Sequence, residues 1–134
     1  MDNISRSVQK HRDEIIRLRR DFHCHPELGL QEFRTGKTVA EYLKTCGLEV
    51  QRFNKTGVAG LLRGNGQGQT LLMRADMDAL PIQEENDTEY KSTIDGVMHA
   101  CGHDAHTAML LVAAKILSSY QKEINGNIKF IFEP

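Results

Sequence analysis

Between Met98 and His106 the chain carries one cysteine, three histidines and one aspartate in nine residues, directly before an apolar helical run. Within that stretch, Cys101-Gly102-His103 sets a thiol and an imidazole two positions apart, and the intervening glycine leaves the backbone free to turn both toward one point. A thiolate and an imidazole suit zinc, with manganese, cobalt and nickel as looser fits. The positive end of the helix that follows favours the thiolate form. Taken alone, the triplet describes a buried cysteine beside a helix-capping histidine equally well, because short motifs recur by chance.

A second group of donors, Asp76-Met77-Asp78, closes an apolar strand and runs into Ala79-Leu80-Pro81. In sheets with crossover helices, ligands gather at the carboxyl ends of strands. The two carboxylates are expected to divide their work. One approaches the metal cluster or a ligating histidine, and the other bonds the loop backbone. A solvated aspartate pair in a turn is the alternative. His23-Cys24-His25 looks like a further ligand triplet, but it stands at a helix end and His25 precedes a proline, so it reads as helix capping. His99 and His106 flank the central pair and read as supporting groups, behind the ligands or facing a substrate.

The elements that must position these residues follow from periodicity. Ile4, Val8, Ile15, Leu18 and Phe22 mark a helical stripe over residues 4–24, broken at His25-Pro26. A second helix is expected over 35–46, stopped by Gly47 in a left-handed cap. Residues 48–53 and 58–63 alternate as strands do. The glycine-rich run Gly64–Gly68 leads into another strand, 70–76. Because no helix follows, it reads as a hairpin turn and not as a phosphate loop. Residues 83–97 turn polar and acidic, a long loop. Residues 107–120 form the clearest helix, apolar on most sides, with Asp104 as its expected N-cap. Asn125-Gly126 then turns the chain into a last strand, 128–132, whose outer edge is expected to lie open. The order implies an α/β fold with a mixed sheet flanked by helices: early strands pair as antiparallel hairpins, and the last helix crosses between parallel strands.

Composition narrows the function. A chain of 134 residues with formal net charge −1 lacks the basic surplus that nucleic-acid binding needs. The basic stretch 11–20 alternates with acids and apolar residues, as the solvated side of a helix does. No apolar run reaches membrane-spanning length and none resembles a signal peptide, so a cytoplasmic location is expected. Three cysteines at wide spacing argue against a disulfide framework. Cys46 reads as core filler and Cys24 is left open, while Cys101 is the candidate for chemistry.

Four segments together resemble a known family in order and spacing. They are Arg20-Asp21-Phe22-His23-Cys24-His25-Pro26-Glu27-Leu28-Gly29, Arg74-Ala75-Asp76-Met77-Asp78-Ala79-Leu80-Pro81, Met98-His99-Ala100-Cys101-Gly102-His103-Asp104-Ala105-His106-Thr107 and Phe130-Ile131-Phe132-Glu133-Pro134. The chain resembles the N-terminal part of the amidohydrolase branch of the dinuclear-metal carboxypeptidase and aminoacylase superfamily. That branch includes hippurate hydrolases, N-acyl-amino-acid deacylases and auxin-conjugate hydrolases. The resemblance implies that residues 1–134 are the N-terminal portion of a metallohydrolase catalytic domain. It implies that Cys101 and His103 are ligands to two divalent ions (zinc, manganese, cobalt or nickel) and that Asp78 orients a ligand from behind. It also implies an N-acyl-amino-acid substrate, amide hydrolysis by metal-activated water and a homodimer or larger assembly. Relatives continue past the Pro134 position with an alanine and two glutamates, a general base and a ligand, and later carry further histidine ligands and an inserted dimerisation domain. Glu133 stands one step short of that pair, where relatives often have glutamine, and is not taken as the base. The segment alone is expected to be inactive. The competing reading is a small metal-binding or thiol-reactive domain without hydrolase activity, in which His103 would activate Cys101.

Overall fold

Helices α1 (Asn3–Lys10), α2 (Arg12–Cys24) and α3 (Phe33–Thr45) lead into strands β1 (Glu49–Phe53), β2 (Gly57–Arg63) and β3 (Thr70–Asp76). Helix α4 (His103–Ser119), a 3-10 turn (Gln121–Glu123) and strand β4 (Asn127–Glu133) complete the chain. The structure, a computed structural model, describes residues 3–134. Among them, no helix is long and apolar enough to cross a membrane.

The four strands form one mixed sheet in the order β1-β2-β4-β3. β4 lies between two partners, antiparallel to β2 (Val58 opposite Phe132, Leu62 opposite Ile128) and parallel to β3 (Leu71 opposite Ile128, Ala75 opposite Phe132). Its alternate side chains Ile128, Phe130 and Phe132 are buried, each phenylalanine contributing roughly 1.5–3 kcal/mol by leaving water. The parallel β3–α4–β4 crossover is as expected. The expected hairpin between residues 58–63 and 70–76 is not formed, because β4 inserts between them, and the open edges are β1 and β3 instead of β4.

The glycine run misled for a physical reason. Residues 64–69 cross over the turn that precedes β4, with the Gly64 N–H donating to the Gly126 carbonyl and the Asn65 N–H to the Ile124 carbonyl. A β-carbon on Gly64 would lie 2.3 Å from both of those oxygens, and one on Gly126 would lie 2.2 Å from the Gln69 oxygen. These glycines let two backbones cross; they do not fold one strand back on its neighbour.

The helices cover one face of the sheet. Leu18 and Phe22 of α2, Val39 and Leu43 of α3, and Leu111 and Val112 of α4 share a core with Val58, Leu62 and Phe130. The stripe expected to run unbroken over 4–24 is interrupted at His11, whose Nδ1 bonds the Ser7 carbonyl at 3.0 Å. Ile4 and Val8 of α1 are exposed, so only the α2 half of the stripe is buried. α3 starts at Phe33 because the Glu27 carboxylate accepts the N–H groups of Arg34 and Thr35, at 2.9 and 2.8 Å. Gly47, with φ +81°, follows its last turn as expected.

α4 begins at His103, four residues before the expected start. The apolar periodicity opens only at Thr107, and the polar first turn hid the true boundary. Asp104 therefore lies inside the first turn, and Gly102, at φ +119°, holds the N-cap position assigned to it from the sequence.

Candidate metal centre

The candidate donors meet where the carboxyl end of β3 faces the first turn of α4, as the strand-end rule anticipates. Thr107, buried on α4, donates its hydroxyl to the Asp76 carbonyl at 3.0 Å and fixes the two elements against each other. Asp76, His103 and His106 each present a donor atom, and these atoms lie within 4.8 Å of one another. His103 and His106 are three apart on a helix, so their rings share a face, with centroids 5.7 Å apart.

His103 is oriented from behind. Its Nδ1 is 2.8 Å from Asp78 Oδ1 and 3.0 Å from the Asp78 carbonyl oxygen. A donating Nδ1–H leaves Nε2 with its lone pair free, 3.8 Å from Asp76 Oδ2. Both carboxylates thus turn toward the site, as side chains two apart on an extended chain do. The expected division, with one carboxylate serving the loop backbone, does not occur. Asp76 also receives Arg74, at 2.6 Å, and Arg74 bonds Glu133 as well. Arg74 thus bridges the Asp76 and Glu133 carboxylates.

Cys101 lies exposed on the loop, two residues before His103, and is not among the three donors that converge. Its thiol is therefore close to His103 in sequence, but the structure does not gather it with the imidazole. Cys46 packs half-buried against the core. Burial, with Asp21 and Glu84 nearby, pushes the Cys24 thiol up, which makes it a poor nucleophile.

His25 bonds the Asp21 carbonyl through Nδ1 at 2.8 Å, the helix-end role expected of it. His23 does more than cap. It is buried, with Nδ1 2.7 Å from Asp104 Oδ2 and Nε2 3.1 Å from Glu84 Oε1. Burial works to raise the Glu84 carboxyl, but the Ser92 N–H and the His23 and Asn86 side chains outweigh it and hold it below the ordinary range. His99 is also buried, and neither ring nitrogen has a protein partner. Burial, reinforced by His23 and His103 and opposed by Asp104 and Asp78, pushes its imidazole down to about 4, so the ring is neutral at pH 7.

The donor set fits a divalent cation. It combines a carboxylate, an imidazole whose second nitrogen is held by an aspartate and a second imidazole one turn on. Sequence reasoning placed His106 as a support and missed it as a neighbouring donor. With α4 starting at His103, its spacing would have shown it.

Residues 72–134 match the family described as Peptidase family M20/M25/M40. Over 133 residues the chain is 50% identical to the N-acyl-L-amino acid amidohydrolase of Geobacillus stearothermophilus, covering 98% of this chain and 36% of that protein. It is 46% identical to thermostable carboxypeptidase 2 of Saccharolobus solfataricus, over 100% of this chain and 35% of that one. Among solved structures it resembles the YXEP protein of Bacillus subtilis, described as a dinuclear metal binding peptidase of the M20 family. The TM-score is 0.90 at 41% identity, over 94% of this chain and 36% of the other. The chain spans about a third of the length of the curated relatives it matches.

Proposed function

The chain belongs to peptidase family M20/M25/M40, and from that premise we propose that it carries the first part of a metal centre for hydrolysing N-acyl-amino acids. One observation supports this most: with Asp78 bonded to His103 Nδ1, Nε2 faces Asp76, and His106 is gathered with them at the mouth of the sheet. Cys101 and His103 are the proposed protein ligands, with Asp78 holding the His103 ring in the ligating tautomer. When bound, two divalent ions (zinc, manganese, cobalt or nickel) would supply Lewis acidity to the amide carbonyl and acidify water.

The residues of this chain do the rest of what can be assigned here. Gly102, at φ +119°, lets the Cys101 segment approach the start of α4. Arg74 bonds both Asp76 and Glu133 at the end of the sheet. The general base and the remaining ligands are proposed to come from polypeptide beyond this sequence. A catalytic metal takes about three protein ligands, and a bridged pair takes more. The 134 residues alone should therefore bind metal weakly and cleave no amide. Peptides and N-acyl-amino acids both place an amide beside an amino-acid carboxylate; the second is the proposed substrate, in a cytoplasmic homodimer or larger assembly. The test is release of free amino acid from N-acyl-amino acids by the full-length polypeptide. Cys101→Ala or His103→Ala should abolish it, and near-wild-type turnover by either variant overturns the assignment.

A further inference from the structure

We propose that His23 is a positioning residue, a buried clamp that sets where His103 sits by holding Asp104 next to it. This inference rests on the metal-centre reading above. His103 and Asp104 are consecutive residues in the first turn of α4, so the turn cannot shift without moving both. Asp104 has a fully buried side chain, held by Arg19 Nε at 2.8 Å and His23 Nδ1 at 2.7 Å, both from α2. The last turns of α2 therefore fix the first turn of α4.

The other ring nitrogen reaches the long loop. His23 Nε2 bonds Glu84, which also takes the Ser92 N–H at 2.6 Å and the Asn86 amide at 3.2 Å. Tyr90 of the same loop lies under the Arg19 and Arg20 guanidinium groups, at 5.1 and 4.8 Å, and meets the His23 ring edge-on at 5.7 Å. Both ring nitrogens of His23 thus face carboxylates, Asp104 from α4 and Glu84 from the loop. The loop it anchors begins just after Asp76 and ends at Cys101, so the clamp spans both stretches that carry donors.

The two bonds can be separated by substitution. The amide nitrogen of asparagine falls near the position of Nδ1, and that of glutamine near Nε2. His23→Asn should keep the Asp104 bond and lose the Glu84 bond, and His23→Gln should do the reverse. Cobalt(II) binding to the full-length polypeptide, followed by its visible absorption, reads the outcome without reference to activity. Glu14→Gln serves as a control that weakens a helix contact away from the clamp.

His23→Gln is expected to weaken cobalt binding by up to about tenfold, no more than the loss of a group bonded directly to a ligand, because Arg19 still holds Asp104. His23→Asn and Glu14→Gln should keep wild-type affinity and spectrum. Equal affinity in all three, or equal loss in the two His23 variants, overturns the clamp. The clamp alone fails if Cys101→Ser and His103→Ala lose cobalt while His23→Gln keeps it. Undiminished binding by those two ligand variants, or none by the wild type, overturns the metal-centre reading and the clamp with it.

Discussion

Replacing Asp78 by alanine isolates the orientation of His103 from its ligation. The ring has two acceptors at Nδ1, the Asp78 carboxylate at 2.8 Å and the Asp78 main-chain carbonyl at 3.0 Å. Asp78→Ala removes only the first. The carbonyl still fixes the tautomer, so the loss is that of the charged acceptor, which makes Nε2 a stronger donor to a cation. Removing a partner behind a ligating histidine costs about tenfold to a hundredfold in metal affinity. With the carbonyl retained, the lower end applies, about tenfold or about 1.4 kcal/mol. Asp78→Asn keeps a neutral acceptor in place and should cost less. The assay is calorimetric zinc titration of the full-length polypeptide at fixed pH, with urea midpoints measured alongside. The Asp78 side chain is partly exposed, so its removal should change stability by no more than about 0.5 kcal/mol. Wild-type affinity in Asp78→Ala would refute the reasoning. A loss as complete as that of His103→Ala would make Asp78 a ligand and refute it equally.

Three further outcomes follow from particular contacts. Gly36→Ala lies within α3, where alanine ordinarily favours a helix by about 1 kcal/mol, but a β-carbon there would come 2.4 Å from the Thr56 carbonyl oxygen. The substitution should therefore destabilise, by about 1–3 kcal/mol in urea unfolding; a gain in stability would contradict the close approach. Burial works to raise the Glu14 carboxyl, but Lys115 and Tyr42 outweigh it and hold it below its usual 4.5. Its contribution is thus full above that value and is lost as pH falls through the lowered folded-state value. Because the pair is partly exposed, Glu14→Gln should cost about 0.5–1 kcal/mol at pH 7 and close to nothing at strongly acid pH. In the metal-loaded full-length polypeptide, Cys101 should react slowly with iodoacetamide and faster after chelation, as followed by mass spectrometry; a rate unmoved by chelator would place the thiol outside the metal site.

Legibility in the sequence divided along physical lines. α3 and β1 were readable from apolar residues of fixed period, α4 from a long run apolar on most sides, and β3 from a short apolar run between a glycine turn and Asp76. Strand order was not, because Gly64–Gly68 has the composition of a turn, and only the insertion of β4 shows that those glycines serve a backbone crossing. The pairing of Asp78 with His103 was within reach, since strand ends and helix starts meet in crossover units. The role of His23 was not. Its partners, Glu84 and Asp104, are 61 and 81 residues away in the chain, and no local pattern encodes such a contact. His106 fell between the two cases, legible only once the helix start is moved back to His103.

X-ray absorption at the zinc edge of the metal-loaded full-length polypeptide tests the metal centre most directly. One sulfur scatterer at about 2.3 Å beside imidazole nitrogens, with the sulfur lost in Cys101→Ser, is the expected result. A shell of nitrogen and oxygen alone, unchanged by that substitution, would contradict the pairing of Cys101 with His103.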